Sequence, residues 1–66
     1  MSVSVNGEAR SIASGLTVAG LLDAMGLAGK RVAVEANGEI VPKGRHATRA
    51  LDDGDRLEIV VAVGGG

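Results

Sequence analysis

The residues of this chain best suited to chemistry are the three glycines Gly64, Gly65 and Gly66. Glycine has no Cβ, so such a segment can lie extended in a channel too narrow for other residues. At ~3.3–3.6 Å per residue it reaches about 10 Å. The Gly66 carboxylate, an anion at neutral pH, could attack the α-phosphorus of ATP and form an acyl-adenylate that is open to sulfur, amine or thiol nucleophiles. Terminal glycines on their own are better explained by a frayed end or a cloning remnant. Because a strong strand leads directly into them here, we instead predict a tail that reacts inside a partner.

The composition excludes most other kinds of functional site. The chain has 66 residues, no cysteine, no aromatic residue and a net charge of −1. It therefore lacks thiolate metal ligands, thiol nucleophiles and a platform for stacking bases, and it has no electrostatic footprint for nucleic acid or an anionic membrane. Its longest apolar run, Ile59 to Val63, is too short to span a bilayer, and Met1 to Ser4 do not resemble a signal peptide. We expect a cytoplasmic protein that is a monomer when free, with no metal, no bound cofactor, and no nucleic-acid or membrane partner.

The first half of the chain predicts a hairpin and a helix. Val3 and Val5 alternate with serines, Asn6-Gly7 is typical of a type I′ turn, and Glu8 to Ile12 reads as a return strand at an edge. Thr17 is a candidate helix cap, and Gly26 is well placed to end the helix. The helix is expected to bury one apolar stripe, formed by Val18, Leu21, Leu22 and Met25.

The second half predicts three more strands. A clear strand is followed by a second Asn-Gly turn and a short strand that ends at Pro42. A loop with one helical turn and a tight aspartate-rich turn then precede the strongest strand of the chain. The predicted segments are Arg31–Ala36, Asn37-Gly38, Glu39–Val41, the loop Lys43–Ala50, the turn Asp52–Asp55 and Arg56–Val63.

This order of elements predicts an α+β fold with a single β-grasp (ubiquitin-like) domain. A helix between an early hairpin and later strands must cover one face of a mixed sheet, here of four to five strands. The predicted domain occupies residues 1–63, followed by a flexible glycine tail at 64–66.

The last predicted strand has two different faces. Leu57, Ile59, Val61 and Val63 should pack beneath the helix. The opposite face begins charged and becomes apolar, so that Val60 and Ala62 could form an exposed docking patch beside the tail. Alternatively, a central strand can be apolar on both faces because both are buried.

Short motifs along essentially the whole chain resemble the ThiS sulfur carriers of thiamine biosynthesis. They occur in the order and spacing of that family, and the chain length also fits. The motifs are Val5-Asn6-Gly7, Thr17 with Leu21-Leu22, Val32-Ala33-Val34-Glu35 with Asn37-Gly38, Ile40-Val41-Pro42, Leu51, Asp53-Gly54-Asp55, Leu57-Glu58-Ile59-Val60 and Val63-Gly64-Gly65-Gly66.

The resemblance implies that the protein is a co-substrate rather than an enzyme. An E1-like adenylyltransferase would use ATP to adenylate the carboxylate of Gly66, while Gly64 and Gly65 thread into that partner. A persulfide sulfur, drawn from cysteine through a desulfurase, would then give a thiocarboxylate. Thiazole synthase would accept this sulfur to build the thiazole ring of thiamine.

Other functions with the same tail remain open. The small subunit of molybdopterin synthase shares the fold and the tail, although it is usually longer. A protein modifier joined to lysines through its last glycine, as ubiquitin is, belongs to a second class. An interaction module with an inert tail belongs to a third.

Three further sets of side chains are candidate sites. His46 stands where the ThiS family usually has tryptophan, and we expect a histidine on a surface loop. Asp52, Asp53 and Asp55 lack calcium-loop spacing, so a solvated turn is expected. The basic set could dock an acidic partner, although a solvated polar surface is the more common explanation; it comprises Lys30, Arg31, Lys43, Arg45 and Arg49.

Overall fold

Two Asn-Gly dipeptides form the turns of two β-hairpins in the computed structural model, which describes residues 1–62. Asn6 and Asn37 have φ of 51° and 53°, and each following glycine has φ of 85°. Both residues of each pair therefore adopt the left-handed conformation of a type I′ turn, as predicted. The first hairpin joins β1 (Ser2–Val5) to β2 (Glu8–Ser11), and the second joins β3 (Val32–Ala36) to β4 (Glu39–Val41).

The helix α1 (Val18–Ala24) begins at the predicted cap. The Oγ1 atom of Thr17 accepts a hydrogen bond from the backbone N–H of Gly20 at 3.1 Å. A Cβ atom on Gly20 would lie only 2.6 Å from Cδ1 of Leu16. The glycine inside the helix therefore lets Leu16 pack closely over the first turn, which explains a residue of low helix propensity at this position.

The final strand β5 (Arg56–Val61) is the centre of a five-stranded sheet with the order β2-β1-β5-β3-β4. It pairs in parallel with β1 and antiparallel with β3. Together with one helix on one face, this mixed sheet confirms the predicted β-grasp architecture.

The core lies between α1 and one face of the sheet. The strand residues Leu57 and Ile59 are buried there, as predicted, but Val61 is 37% exposed, so its prediction was wrong. A seven-residue helix is only ~10 Å long, whereas a six-residue strand spans ~20 Å, so β5 extends past its cover. The buried apolar residues are Val3, Val5, Val18, Leu21, Leu22, Val34, Ala36, Val41, Leu51, Leu57 and Ile59.

The segment between β4 and β5 packs against the start of α1. It contains one 3₁₀ turn, Lys43–Arg45, in agreement with the predicted loop. The backbone N–H groups of Val18 and Ala19 donate to the carbonyls of Arg49 and His46 at 3.0 and 2.7 Å. Two donors that the helix itself cannot satisfy are thus bonded by this loop. Neither helical segment of residues 1–62 has the length and apolar character needed to cross a membrane.

Candidate functional site

The tail begins at the end of the central strand. The N–H of Ala62 donates to the carbonyl of Arg31, the residue before β3, at 2.9 Å. Hydrogen bonding between these two neighbouring segments therefore continues to the last described residue. Val63, Gly64, Gly65 and Gly66 lie outside the described residues. The reactive tail and the domain boundary after residue 63 therefore stay predictions, while the strand that leads to them is held on both sides by hydrogen-bonded neighbours.

An apolar patch lies on the open face of the sheet beside the root of the tail. Val60 is 64% exposed and Ala62 is exposed as well, so both predicted docking residues are accessible. Ala33 is directly opposite Val60 across the β3–β5 pair. Ile40 on β4 is 75% exposed and has the same orientation relative to the sheet as Glu35, its partner on β3. We call Ala33, Ile40, Val60 and Ala62 the open-face patch; its docking role stays a prediction.

Ile40 and Ala33 were missed by reasoning from the sequence. The alternation of Ile40 with Val41, which is buried, was a usable signal, because neighbouring strand residues point to opposite faces. The strand order that brings Ala33 beside Val60 could not be read from either segment alone.

Two carboxylates border the open-face patch. Glu35 and Glu58 are exposed and directly opposite each other across β3 and β5. Like charges at directly opposed positions repel and destabilise the sheet slightly. A partner that brings a lysine or arginine to this position would relieve the repulsion.

The expectation of a surface histidine at His46 was wrong. The residue is 8% exposed, and its Nε2 atom lies 3.0 Å from the carbonyl oxygen of Val41. Because a carbonyl oxygen only accepts, Nε2 carries the proton and donates. The loop packs against the start of α1, where the N–H of Ala19 donates to the carbonyl of His46. This brings the ring into the protein, which the local sequence, rich in basic residues, did not indicate. His46 thus has a packing role.

The expectation of a fully solvated aspartate turn was also wrong, because Asp55 is 7% exposed. Its carboxylate accepts hydrogen bonds from the N–H of Asp52 at 2.9 Å, from Nδ2 of Asn37 at 2.9 Å and from Nη1 of Arg49 at 3.3 Å. Burial acts to raise the pKa of Asp55, but these hydrogen bonds and the charge of Arg49 outweigh it, so the pKa is lowered. The carboxylate thus joins the turn between β3 and β4 to the segment that precedes β5.

The neighbouring turn residue Asp53 also has a structural contact, since its Oδ1 accepts from the N–H of Ser2 at 2.8 Å. Within residues 1–62, no group of three or more histidine, cysteine, aspartate or glutamate side chains is arranged to hold a metal ion.

The structure divides the basic set into two parts. Arg49 forms an ion pair with Asp55, and Arg45 borders the same side of the loop. Lys30, Arg31 and Lys43 instead surround a groove next to the helix. Only the second group is therefore a candidate for contacts with a partner.

Comparison with known proteins agrees with this arrangement. The ThiS family model matches residues 3–66. A crystal structure of the thiamine biosynthesis protein ThiS from Geobacter metallireducens superimposes with a TM-score of 0.83 at 35% identity and covers 100% of both chains.

Two curated relatives match the whole of this chain, but one is far longer than this chain and the other is about as long. A thiazole synthase from Paramagnetospirillum magneticum is 48% identical over 66 residues, which are 100% of this chain but only 20% of that protein. An uncharacterized protein from Pyropia yezoensis is 33% identical over 100% of this chain and 93% of its own length. The family match extends over nearly the whole chain and includes the glycine tail, and the solved relative has the same fold. The chain therefore belongs to the ThiS family.

Proposed function

We propose that the protein carries sulfur for thiamine biosynthesis as a thiocarboxylate on Gly66. The observation that supports this most directly is that the family match continues through the three glycines to residue 66. The fold is consistent with such a role, because the chain leaves the central strand next to an exposed apolar patch. The described residues contribute a scaffold, and the reacting group is the acyl carbon of Gly66.

The proposed activation has two chemical stages. An oxygen of the Gly66 carboxylate attacks the α-phosphorus of ATP, and pyrophosphate leaves to give an acyl-adenylate. The terminal sulfur of a persulfide then attacks the acyl carbon and displaces AMP. A thiol cleaves the resulting S–S bond, so that the thiocarboxylate remains on the carrier and a disulfide forms on the donor.

These stages define the proposed partners. An E1-like adenylyltransferase activates the carboxylate, and a cysteine desulfurase system supplies the persulfide. The carrier binds no cofactor itself, ATP being consumed by its partner. We propose that the protein acts in the cytoplasm, where ATP is available to that partner.

We propose thiazole synthase as the sulfur acceptor. The support is that two relatives named thiazole synthase contain a segment similar to this whole chain, and that this segment makes up a fifth of their length. Each of those proteins therefore contains, in one polypeptide, a segment similar to this chain and a remainder about four times as long. If that remainder is the sulfur acceptor, the carrier and the acceptor are joined covalently there.

The open-face patch is the proposed docking surface for the activating enzyme. It combines the exposed side chains of Ile40 and Val60 with the opposed carboxylates of Glu35 and Glu58. The proposal therefore predicts a partner surface with apolar side chains and at least one basic residue. Val60→Glu adds a third negative charge there and should weaken binding without a large loss of stability, because Val60 is not part of the core.

Intact mass spectrometry tests the proposed function. The protein is incubated with the adenylyltransferase, ATP and a persulfide donor, and also isolated from its native cell. The proposal expects the mass gain of one oxygen-to-sulfur exchange, located on Gly66 by fragmentation. Isopeptide-linked products would identify a protein modifier instead. A mass that does not change when ATP is added would indicate an interaction module with an inert tail.

Two tail variants serve as controls for that experiment. Deletion of Gly66, or Gly65→Val, should abolish the exchange while the melting temperature stays close to that of the unchanged protein, because the core is formed by residues within 1–62. Normal exchange in the Gly65→Val protein would contradict threading of the tail through a narrow channel.

A further inference from the structure

A groove of about 520 Å³ lies on the helix side of the molecule. Its apolar lining comes from three different elements, with Leu22 on α1, Leu27 in the loop after α1, and Val32 at the start of β3. Leu27 and Val32 are only partly buried. The groove can therefore accept an apolar side chain from outside the molecule.

The rim of this groove is positively charged. Lys30, Arg31 and Lys43 are exposed around it, and no carboxylate among the described residues lines it. The ion pair found within residues 1–62 joins Arg49 to Asp55 and leaves these three cations out. This concentration of positive charge occurs in a protein whose net charge is −1. Such segregation favours a negatively charged occupant.

A second groove in the same molecule lacks this charge pattern. Its lining includes Arg45 and Arg49, but also Glu39, and Arg49 is paired with Asp55. Its charges are thus partly compensated within the protein. Of these two grooves, the one beside the helix is therefore the one whose positive rim has no carboxylate among its described lining residues.

The first groove also adjoins the point where the tail leaves the sheet. Arg31 accepts the hydrogen bond from Ala62, and Val32 is opposite Val61 across β3 and β5. An enzyme that takes the tail into its active site must therefore approach this rim. The open-face patch lies on the other face of the same strands and is bordered by Glu35 and Glu58, whereas the groove is bordered by lysine and arginine.

We infer that the groove formed by Leu22, Leu27 and Val32, with its rim of Lys30, Arg31 and Lys43, docks an acidic segment of the activating enzyme that inserts one apolar side chain. This inference rests on the proposed function. The rim supplies long-range attraction, and the apolar lining supplies a short-range contact. Together with the open-face patch, the groove lets the partner hold both faces of the strands that present the tail.

Steady-state adenylation measures this contact. Pyrophosphate release by the adenylyltransferase is followed as the carrier concentration is varied, for the unchanged protein and for Lys30→Glu/Lys43→Glu. The control Arg10→Glu/Arg45→Glu makes the same change in net charge at exposed positions, on β2 and on the opposite side of the loop. Circular dichroism establishes that each variant is folded.

The groove variant should raise KM by about tenfold or more, with kcat within about twofold of the unchanged protein. The control should stay within about twofold in both constants, and about 0.5 M salt should reduce the difference because it screens exposed charges. Equal KM values in the two variants would overturn the inference while leaving the proposed function intact. If the unchanged protein is not adenylated, the proposed function fails, and the inference fails with it.

Two NMR titrations identify other occupants. Concentration-dependent shifts of groove amides in the free protein would indicate a second copy, and shifts on addition of phenyl phosphate would indicate a small anionic ligand. Either result, combined with an unchanged KM in the groove variant, would replace the docking interpretation.

Discussion

Asp55→Asn is expected to remove a large part of the stability of the fold. The side chain accepts three hydrogen bonds, through Oδ1 from Asn37 and through Oδ2 from Asp52 and Arg49. Asparagine has nearly the same shape but only one acceptor oxygen. Whichever way the amide is oriented, its NH₂ group faces a donor, and Arg49 loses its counter-charge.

The size of the effect follows from these contacts. Hydrogen bonds to charged groups contribute ~1.5–3 kcal/mol each, and the variant keeps one acceptor, so we expect a loss of about 2–4 kcal/mol. At ~0.05–0.15 kcal/mol per residue, a chain of this length has only about 3–10 kcal/mol of stability. The melting temperature should fall by roughly 10–30 °C.

The effect should depend on pH with a definite sign. The pKa of Asp55 in the folded protein is lowered from its usual value of 3.8. Its stabilising contribution is therefore complete above the unfolded value and is lost as the pH falls through the lower, folded value. The difference between the unchanged protein and Asp55→Asn should be full at neutral pH and should shrink below about pH 4.

Unfolding should be followed by far-ultraviolet circular dichroism or calorimetry, since the chain has no aromatic residue to give a fluorescence signal. Asp52→Asn is the matched control: it removes one carboxylate from the same turn, at an exposed position. Equal melting temperatures for the two variants at neutral pH would refute the argument. So would a difference that persists undiminished in acid.

Three further substitutions test other contacts. Thr17→Ala should lower the free energy of unfolding by about 1 kcal/mol because it removes the helix cap. Thr17→Ser should keep most of the stability that the cap contributes, because serine also caps. Equal stability of the two variants in a urea titration would contradict the capping role. His46→Ala should cost about 2 kcal/mol or more, since it leaves a cavity and an unpaired Val41 carbonyl; a thermal melt like that of the unchanged protein would show that the ring is dispensable. Gly38→Ala should cost about 1 kcal/mol in the same assay because alanine disfavours positive φ, and a neutral result would show that the turn relaxes.

Most of the fold could be predicted because local sequence signals and tertiary structure agree. The two Asn-Gly turns, the Thr17 cap and the alternation in β5 each depend on the conformation of a few neighbouring residues. Predicted ends differ from the observed ones by one residue at β2, β3 and the helix, and by two at β5, which ends at Val61 and not at the predicted Val63. The family resemblance, confirmed by the comparisons, rests on motifs spread over the whole chain.

The predictions that were wrong all concern residues whose burial depends on contacts between distant segments of the chain. Asp55 is buried because Asn37 and Arg49 meet it from other parts of the chain, and the sequence around Asp55 shows only a polar turn. His46 is buried because its loop packs against the start of α1. Likewise, Val61 is exposed because the helix ends before the strand does. Such outcomes follow from the arrangement of elements, which periodicity does not specify.

The placement of β5 determines what a truncated chain loses. Among the described strands it comes last in the sequence, yet it occupies the middle of the sheet, where it bridges the two hairpins. A chain cut before Arg56 therefore loses the pairing that joins one hairpin to the other, together with the buried side chains of Leu57 and Ile59. The residue proposed to carry sulfur follows this strand in the sequence, so the same cut removes the reactive group and the centre of the fold together.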